Sequence, residues 1–164
     1  AKREFYKTTS PSMDILVSSN LERLLYHVTG SDAEVAGLMK SLNETGRYTV
    51  RPETLKAIQE SFDCGWSSEE QVAGEIRARY EKDGYLCDTH TAVAFHVAAQ
   101  KKRDGVPMVV LSTASPFKFP RSVLEEATGR TAPASLAVLR QKAERFSTVI
   151  DPAQIAEVAL GCQA

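Results

Sequence analysis

The chain has 164 residues, of which 43% are hydrophobic and 25% are charged, a composition that predicts one ordinary globular domain and excludes a disordered or fibrous protein. Its 20 basic and 21 acidic residues leave a net charge of −1, so no excess positive charge is present for binding nucleic acid or an anionic membrane. No apolar run approaches the roughly 20 residues that cross a bilayer, and residues 1–5 lack the apolar core of a signal peptide. We therefore expect a cytoplasmic location, and the initial Ala1 suggests a piece of a longer protein.

Helices are predicted wherever a polar cap precedes a run of helix-forming residues. Serines with a glutamate three residues later have the spacing of a capping box, and they are Ser19 with Glu22, Ser31 with Glu34, and Ser67 with Glu70. A helix is expected to follow each pair. The first covers 20–27, the second extends to Leu42, and the third extends to Tyr80. A further helix is expected from Pro52 to about Ser61, because proline favours the first helical position.

The second half of the chain predicts more helices and little sheet. The alanine-rich run 92–99 has almost no polar face, which predicts a buried helix. Further helices are expected over 120–127, 133–145 and 151–160. Two or three short strands are expected in all. The two that can be placed are 47–51, which alternates, and 107–111, an apolar, β-branched run that follows a turn. The predicted fold class is therefore helix-rich α/β.

The segment Leu111–Pro120 is a candidate ligand site. Ligands of α/β sheets bind beyond the carboxyl ends of strands, and Ser112, Thr113 and Ser115 directly follow a predicted strand. Their hydroxyls can donate or accept hydrogen bonds without bringing a charge. The alternative is a capped loop, because serine and threonine also favour turns. Lys118 lies between two phenylalanines, where it either acts on a substrate or carries an exposed amine on a packed stem.

Two further polar motifs stand at predicted helix starts. In the motif Ser10–Asn20, residues 18–20 lie where free backbone N–H groups attract a carboxylate or phosphate, although they also serve as ordinary caps. The motif Asp88–Thr91 precedes the predicted buried helix, where Asp88 is a candidate N-cap and His90 a candidate hydrogen-bond donor or proton-transfer group.

Metal binding and nucleotide binding are not expected. Cys64, Cys87 and Cys162 are odd in number and far apart, which argues against disulfides and a zinc site and predicts reduced thiols. Cys87 and His90 have a spacing that metals use, but no second ligand pair is visible. The nine glycines are scattered, so no loop can surround a phosphate with backbone N–H groups.

Three motifs together resemble the C-terminal part of threonine synthases. They are Ser10–Ile15 with Ser18–Leu25, Asp88–Ala92, and Leu111–Pro120, and their order also matches. The resemblance implies the tryptophan-synthase-β-like fold (fold type II) of pyridoxal-phosphate (PLP) enzymes. It also implies a carbon–oxygen lyase activity that converts O-phospho-L-homoserine and water into L-threonine and phosphate.

The same resemblance implies that residues 1–164 are a single C-terminal fragment that is inactive alone. The lysine that carries the cofactor and the glycine-rich phosphate loop lie earlier in the family's chains and match nothing in this sequence. The remaining N-terminal part of the enzyme is therefore an expected partner of the chain, together with O-phospho-L-homoserine.

The resemblance further implies roles for individual side chains. Thr113 is expected to meet the pyridine nitrogen of PLP. The residues expected to line or support the substrate side are Ser10, Ser12, Asp14, Ser19, Asn20, Arg23, Asp88, Thr89, His90, Thr91 and Lys118. The family often has other residues where Thr89, Ser115 and Phe117 stand, so indispensable chemistry is not expected at these positions.

Two alternative functions stay open at this point. The chain could belong to a neighbouring PLP-enzyme family that acts on another amino acid, which a substrate-preference assay would reveal. It could instead be a non-catalytic ligand-binding or interaction domain, a reading that the absence of a lysine-bearing domain upstream would favour.

Overall fold

The computed structural model describes residues 4–130 together with Asp151 and Gln154. The α-helices of this part of the chain are α1 (Ser19–Thr29), α2 (Asp32–Thr45), α3 (Pro52–Ser61), α4 (Glu69–Asp83) and α5 (Thr89–Lys101). Short 3-10 turns cover Pro11–Met13 and Pro116–Lys118, and Arg121–Glu126 forms a π-helical segment. Apart from Asp151 and Gln154, the helices predicted over 133–145 and 151–160 lie outside the described residues. None of the described helices is long and apolar enough to span a membrane.

The main hydrophobic core lies between α4, α5 and the π-helical segment. Its buried side chains are Val72, Ile76, Cys87, Ala92, Val123 and Ala127. Arg77 of α4 adds a polar tie, because its Nε donates a 2.9 Å hydrogen bond to the carbonyl of Ala127. The core therefore fixes the start of α5 against α4, and this start carries one of the predicted functional motifs.

The helices α1, α2 and α3 pack together in the N-terminal half. Leu25 of α1 and Val35 of α2 are buried. Arg51, immediately before α3, makes a two-point contact with Glu34 of α2, with nitrogen–oxygen distances of 3.1 and 2.5 Å. Such paired, charge-assisted hydrogen bonds are directional, so Glu34 joins the ends of two helices.

Two of the predicted helix starts are wrong by one residue. Ser18, not Ser19, caps α1 by accepting a 3.3 Å hydrogen bond from the backbone of the first turn. Ser68, not Ser67, caps α4 in a complete capping box. In both places adjacent serines offer the same hydroxyl, so the side-chain chemistry does not choose between them. The predicted cap at Ser31 is confirmed, and the bounds predicted for α3 match.

Glycine ends α1 and α4 through its backbone conformation. Gly30 and Gly84 have φ values of 63° and 66°, in the left-handed region. Their N–H groups donate hydrogen bonds of 2.8 and 3.0 Å to carbonyls of the last helical turn. A Cβ at either position would meet no atom within 4 Å. The positive φ alone, rather than crowding, therefore favours glycine at these two ends.

Neither predicted strand forms regular structure in the described residues. The segments 47–51 and 107–111 are irregular, and Val109 and Leu111 are 77% and 73% exposed. A strand becomes stable when a neighbouring strand satisfies its backbone hydrogen bonds, and residues 4–130 contain no such neighbour. The described part of the chain is therefore helix-rich, as predicted, but it shows no β-sheet.

The prediction of a buried helix over 92–99 is only partly correct. The helix α5 begins earlier, and Asp88 caps it as predicted. Its buried residues are confined to Thr89–Ala92, whereas residues 93–98 are half-buried and 99–101 are exposed. The alanine-rich composition thus gives helix propensity along the whole segment and burial only in the first turn.

Gly65 lies so close to α5 that a methyl group does not fit there. A Cβ on Gly65 would lie 2.7 Å from Cγ1 of Val97. We expect Gly65→Ala to lower the free energy of unfolding by about 1–3 kcal/mol, the usual cost of overpacking, as measured by urea denaturation. Gly37, inside α2, is a matched control because nothing lies within 4 Å of its added Cβ. Gly37→Ala should raise the free energy of unfolding by roughly 0.5–1 kcal/mol.

The double variant Gly65→Ala with Val97→Ala tests the steric explanation. Removal of the two valine methyl groups leaves room for the new Cβ, so the two substitutions should be less destabilising together than the sum of their separate effects. Simple additivity would contradict a clash between these two residues.

Candidate functional site

Asp88 is a fully buried carboxylate at the start of α5. Its Oδ1 accepts hydrogen bonds from the backbone N–H groups of His90, at 2.9 Å, and Thr91, at 3.3 Å. Its Oδ2 accepts a further hydrogen bond from the hydroxyl of Thr91. A buried charge is tolerated when polar donors replace the water it has lost. This carboxylate therefore sets where α5 begins and how the next side chains are directed.

His90 is held at both ring nitrogens. Its Nδ1 lies 3.2 Å from Oδ1 of Asp88, and its Nε2 accepts a 3.2 Å hydrogen bond from the backbone N–H of Ser12. The ring also packs against Phe119, with 5.0 Å between the ring centroids. The side chain is 7% exposed. Three contacts from different parts of the chain thus fix the imidazole in one orientation.

Residues 8–14, the 8–14 loop, fold back on themselves beside α5. The carboxylate of Asp14 accepts hydrogen bonds from the N–H and the hydroxyl of Thr8, both at 2.7 Å. These two bonds hold the pKa of Asp14 below its ordinary value, because they stabilise the charged form. The carbonyl of Thr9 accepts a 2.8 Å hydrogen bond from the hydroxyl of Thr89. The loop is therefore closed internally and joined to the first turn of α5.

Ser10 is the residue of the 8–14 loop whose hydroxyl is buried without a hydrogen-bond partner. It is 3% exposed. Its neighbours Thr9 and Ser12 are both bonded to α5. A buried hydroxyl without a partner is unfavourable, so Ser10 has an unused donor and acceptor that a bound molecule could satisfy.

The predicted site residues on α1 lie in a different place. Ser19 and Arg23 line a groove of about 640 Å³ between α1 and α2. The guanidinium of Arg23 donates a hydrogen bond to the side-chain oxygen of Asn20. The lining of this groove includes no residue of the 8–14 loop or of the motif Asp88–Thr91. The groove lined by the α1 residues therefore does not include Ser10 or His90.

The third motif reaches His90 through Phe119, whereas its polar residues lie on the surface. Thr113 and Lys118 are both exposed. Ser112 accepts a 3.1 Å hydrogen bond from the hydroxyl of Tyr85. The hydroxyl of Ser115 caps the 3-10 turn Pro116–Lys118, so the alternative of a capped loop is confirmed at that position.

The sequence motifs missed residues that hold the site together. Thr8 closes the 8–14 loop through Asp14, and Glu69 at the start of α4 accepts a 3.0 Å hydrogen bond from the N–H of Thr9. Glu69 resembles any charged residue of a helical first turn, and its partner is 60 positions away, so no local pattern reveals it. For Phe119, the only available signal was its place in the third motif.

No metal centre is formed in the part of the chain that the structure describes. No group of three or more histidine, cysteine, aspartate or glutamate side chains is arranged there to hold an ion. Cys64 is exposed and Cys87 is buried, and both are free thiols. Burial raises the pKa of Cys87 to about 11. Cys87 is therefore part of the core rather than a reactive group.

The two thiols should differ in their reaction with iodoacetamide. At pH 8, a pKa of about 11 leaves roughly one Cys87 thiol in a thousand as the reactive thiolate. We expect peptide mass spectrometry of the folded protein to find Cys64 labelled and Cys87 unlabelled. In denaturant, where burial is lost, both should react. Labelling of Cys87 at the same rate as Cys64 under native conditions would contradict its burial.

Removal of the Asp88 carboxylate should destabilise the protein strongly. Asp88→Ala loses the cap of α5 and leaves buried donors without an acceptor, so we expect the free energy of unfolding to fall by about 2–4 kcal/mol. The matched control is Asp32→Ala in the exposed first turn of α2, which should change it by less than about 0.5 kcal/mol. Equal losses in urea denaturation of the two variants would show that the buried hydrogen bonds of Asp88 do not stabilise the fold.

The sequence of the chain matches both a family model and a known protein that are described as threonine synthase. Residues 91–159 match the family model described as threonine synthase, C-terminal. The threonine synthase of Pseudomonas aeruginosa is 37% identical over 161 residues, which cover 96% of this chain and 34% of that protein. The chain therefore spans about a third of the length of this relative.

Two solved structures are similar to the chain. The crystal structure of PLP-bound threonine synthase from Brucella melitensis has a TM-score of 0.77 and 42% identity, and the match covers 96% of this chain and 34% of that one. Threonine synthase from yeast has a TM-score of 0.74 at 24% identity, with 98% of this chain and 37% of that chain covered, and this match supports the fold alone. Together, the family model, the relative from Pseudomonas aeruginosa and the structure from Brucella melitensis show that the chain corresponds to the C-terminal part of threonine synthases.

Proposed function

We propose that the protein containing this chain is a PLP-dependent threonine synthase, a carbon–oxygen lyase that converts O-phospho-L-homoserine and water into L-threonine and phosphate. The observation that carries the proposal is the meeting of two sequence motifs in one site. Ser12 of the first motif contacts His90 of the second across 78 positions of sequence. The 42% identity to a PLP-bound threonine synthase supports the same cofactor and reaction.

In this proposal, residues 1–164 form one wall of the active site of an α/β enzyme of fold type II. The remaining N-terminal part of the protein supplies the lysine and the phosphate loop, and the chain alone is inactive. The exposed apolar side chains of Val109 and Leu111 support this division, because helices that pack on the faces of a parallel sheet would cover them. The cytoplasmic location expected from the sequence stays a prediction.

Thr113 fits the proposed contact with the cofactor's pyridine nitrogen. Its side chain is exposed and therefore accessible to a bound group. A neutral hydroxyl can form a hydrogen bond with a ring nitrogen without placing a charge beside it. When bound, PLP supplies an electron sink that stabilises carbanions formed from the substrate.

The other residues of the chain would bind the substrate or hold its binding groups in place. The buried, unpartnered hydroxyl of Ser10 is suited to a hydrogen bond with the substrate. Arg23 and Lys118 offer positive charge to a phosphate or carboxylate. Supporting rather than contacting roles suit Asp88, Thr89 and Thr91, because their side-chain oxygens already have hydrogen-bond partners within the chain. The same applies to Asp14, whose carboxylate is engaged with Thr8 inside the 8–14 loop.

The proposal predicts that the full-length protein releases phosphate from O-phosphohomoserine only in the presence of PLP. Thr113→Ala should lower kcat/KM by roughly 10–100-fold, the range expected for one lost hydrogen bond to a bound group. Thr113→Ser retains the hydroxyl and should recover most of the activity. Phosphate release measured at matched cofactor loading provides the comparison.

Ser61→Ala is a control for this assay, because Ser61 is an exposed residue at the end of α3 and far in sequence from the motifs. Its kcat/KM should equal that of the unsubstituted protein. Folded, cofactor-loaded protein that releases no phosphate would overturn the assignment as a threonine synthase. Equal activity of Thr113→Ala and Thr113→Ser would leave the enzyme assignment standing and remove the role of the Thr113 hydroxyl.

A further inference from the structure

We propose that His90 is a positioning residue, which acts as a neutral imidazole to hold the 8–14 loop and the Ser10 hydroxyl in place for substrate. The inference rests on the proposed function only in assigning the loop to the substrate side. The described contacts supply the rest of the argument, because they connect the buried carboxylate of Asp88 to the backbone of the loop through a single ring.

The polar partners of the ring determine where its proton lies. The hydroxyl of Thr89, 3.4 Å from Nδ1, donates its own hydrogen to the carbonyl of Thr9, so it can only accept from the ring. The carboxylate of Asp88 can only accept a hydrogen bond, so Nδ1, which lies 3.2 Å from it, must carry the hydrogen. The N–H of Ser12 can only donate, so Nε2, which lies 3.2 Å from it, must have a free lone pair. Both conditions are met by the neutral Nδ1–H tautomer and by no other protonation state of histidine.

The ring cannot readily turn away from this arrangement. Asp88 is itself held by the backbone N–H groups of His90 and Thr91. Phe119 covers the imidazole at 5.0 Å between ring centroids. The position of the Nε2 lone pair is therefore set by the start of α5, and α5 is in turn fixed by the hydrophobic core.

The 8–14 loop forms two hydrogen bonds with adjacent residues of α5, one as donor and one as acceptor. Ser12 is bonded to His90, and the carbonyl of Thr9 accepts from the hydroxyl of Thr89. Ser10 lies between these two attachment points, and its unpartnered Oγ is buried. Ser10, which lies between the two contacts with α5, is thus a loop residue with a buried, unpartnered hydroxyl. Loss of the Ser12 contact would remove the attachment to α5 on the C-terminal side of Ser10 and leave only the loop's own bond there, from the N–H of Met13 to the carbonyl of Ser10 at 2.8 Å.

Two amide substitutions of His90 test separately the contact of Nδ1 with Asp88 and the contact of Nε2 with Ser12. Gln is long enough to place a carbonyl oxygen near the position of Nε2, so His90→Gln can still accept the hydrogen bond from Ser12. Asn can place an N–H near the position of Nδ1, so His90→Asn keeps a donor for Asp88 and loses the acceptor for Ser12. The pair is matched in chemistry and differs in which contact survives.

The expected kinetic result in the full-length, PLP-loaded protein is a difference in KM. His90→Asn should raise the KM for O-phosphohomoserine by about tenfold, the effect of one lost hydrogen bond in the support of a binding group, with a smaller change in kcat. His90→Gln should stay within roughly threefold of the unsubstituted protein in KM. A purely structural role in capping α5 predicts the reverse order, because only Asn keeps the contact with Asp88.

Two measurements test the proposal without any activity. In the unsubstituted full-length protein labelled with ¹⁵N-histidine, the His90 ring should show a protonated Nδ1 and an unprotonated Nε2. Hydrogen exchange followed by mass spectrometry should find the peptide containing Ser12 exchanging about tenfold faster in His90→Asn than in His90→Gln. Peptides from α4 should exchange equally in the two variants.

These results distinguish the positioning role from the proposed reaction. The Nε2–H tautomer, or equal exchange of the Ser12 peptide in the two variants, would overturn the positioning role whatever the enzyme's substrate. The tautomer test needs no variant, so it can overturn the proposal even where a substitution prevents folding. The expected tautomer and exchange, combined with no phosphate release by the loaded protein, would support the positioning role and overturn the proposed reaction.

Discussion

The buried carboxylate of Asp88 is the interaction on which the candidate site depends. A charge removed from water destabilises a fold unless donors surround it, and here backbone and side-chain donors of the first turn of α5 do so. One side chain thereby caps the helix, fixes its first residue and orients the imidazole of His90. The orientation of the His90 and Thr91 side chains therefore follows from the hydrogen bonds that stabilise the Asp88 carboxylate.

This polar cluster is built on a small apolar core. Cys87 and Ala92, on either side of the motif Asp88–Thr91, both pack into the core shared with α4 and the π-helical segment. The first turn of α5 is therefore rigid because its flanks are apolar and buried, while its own side chains are polar and satisfied. Phe119 extends the apolar packing onto the imidazole. Stability and candidate function thus share the same few residues.

The sequence predicted the helices well because their signals are local. Serine caps, the proline at the start of α3 and the glycine at Gly84 act within one helical turn. Adjacent serines left the starts of α1 and α4 uncertain by one residue, and the predicted strands failed because pairing depends on a distant partner. The candidate site residues were proposed from motifs, whereas the contact between Ser12 and His90 joins positions 78 apart and has no local signature.

The C-terminal ends of α1 and α4 show how the chirality of amino acids limits which residues can stand there. Gly30 and Gly84 stand in open space, so the only obstacle to a side chain there is the positive sign of φ. That obstacle belongs to L-amino acids, because a D-residue favours the mirror-image region of backbone conformation. A D-alanine introduced by chemical synthesis would fit both positions without strain and would restrict the unfolded chain more than glycine does. Chirality of the backbone, rather than the volume available, limits which residues these two positions accept.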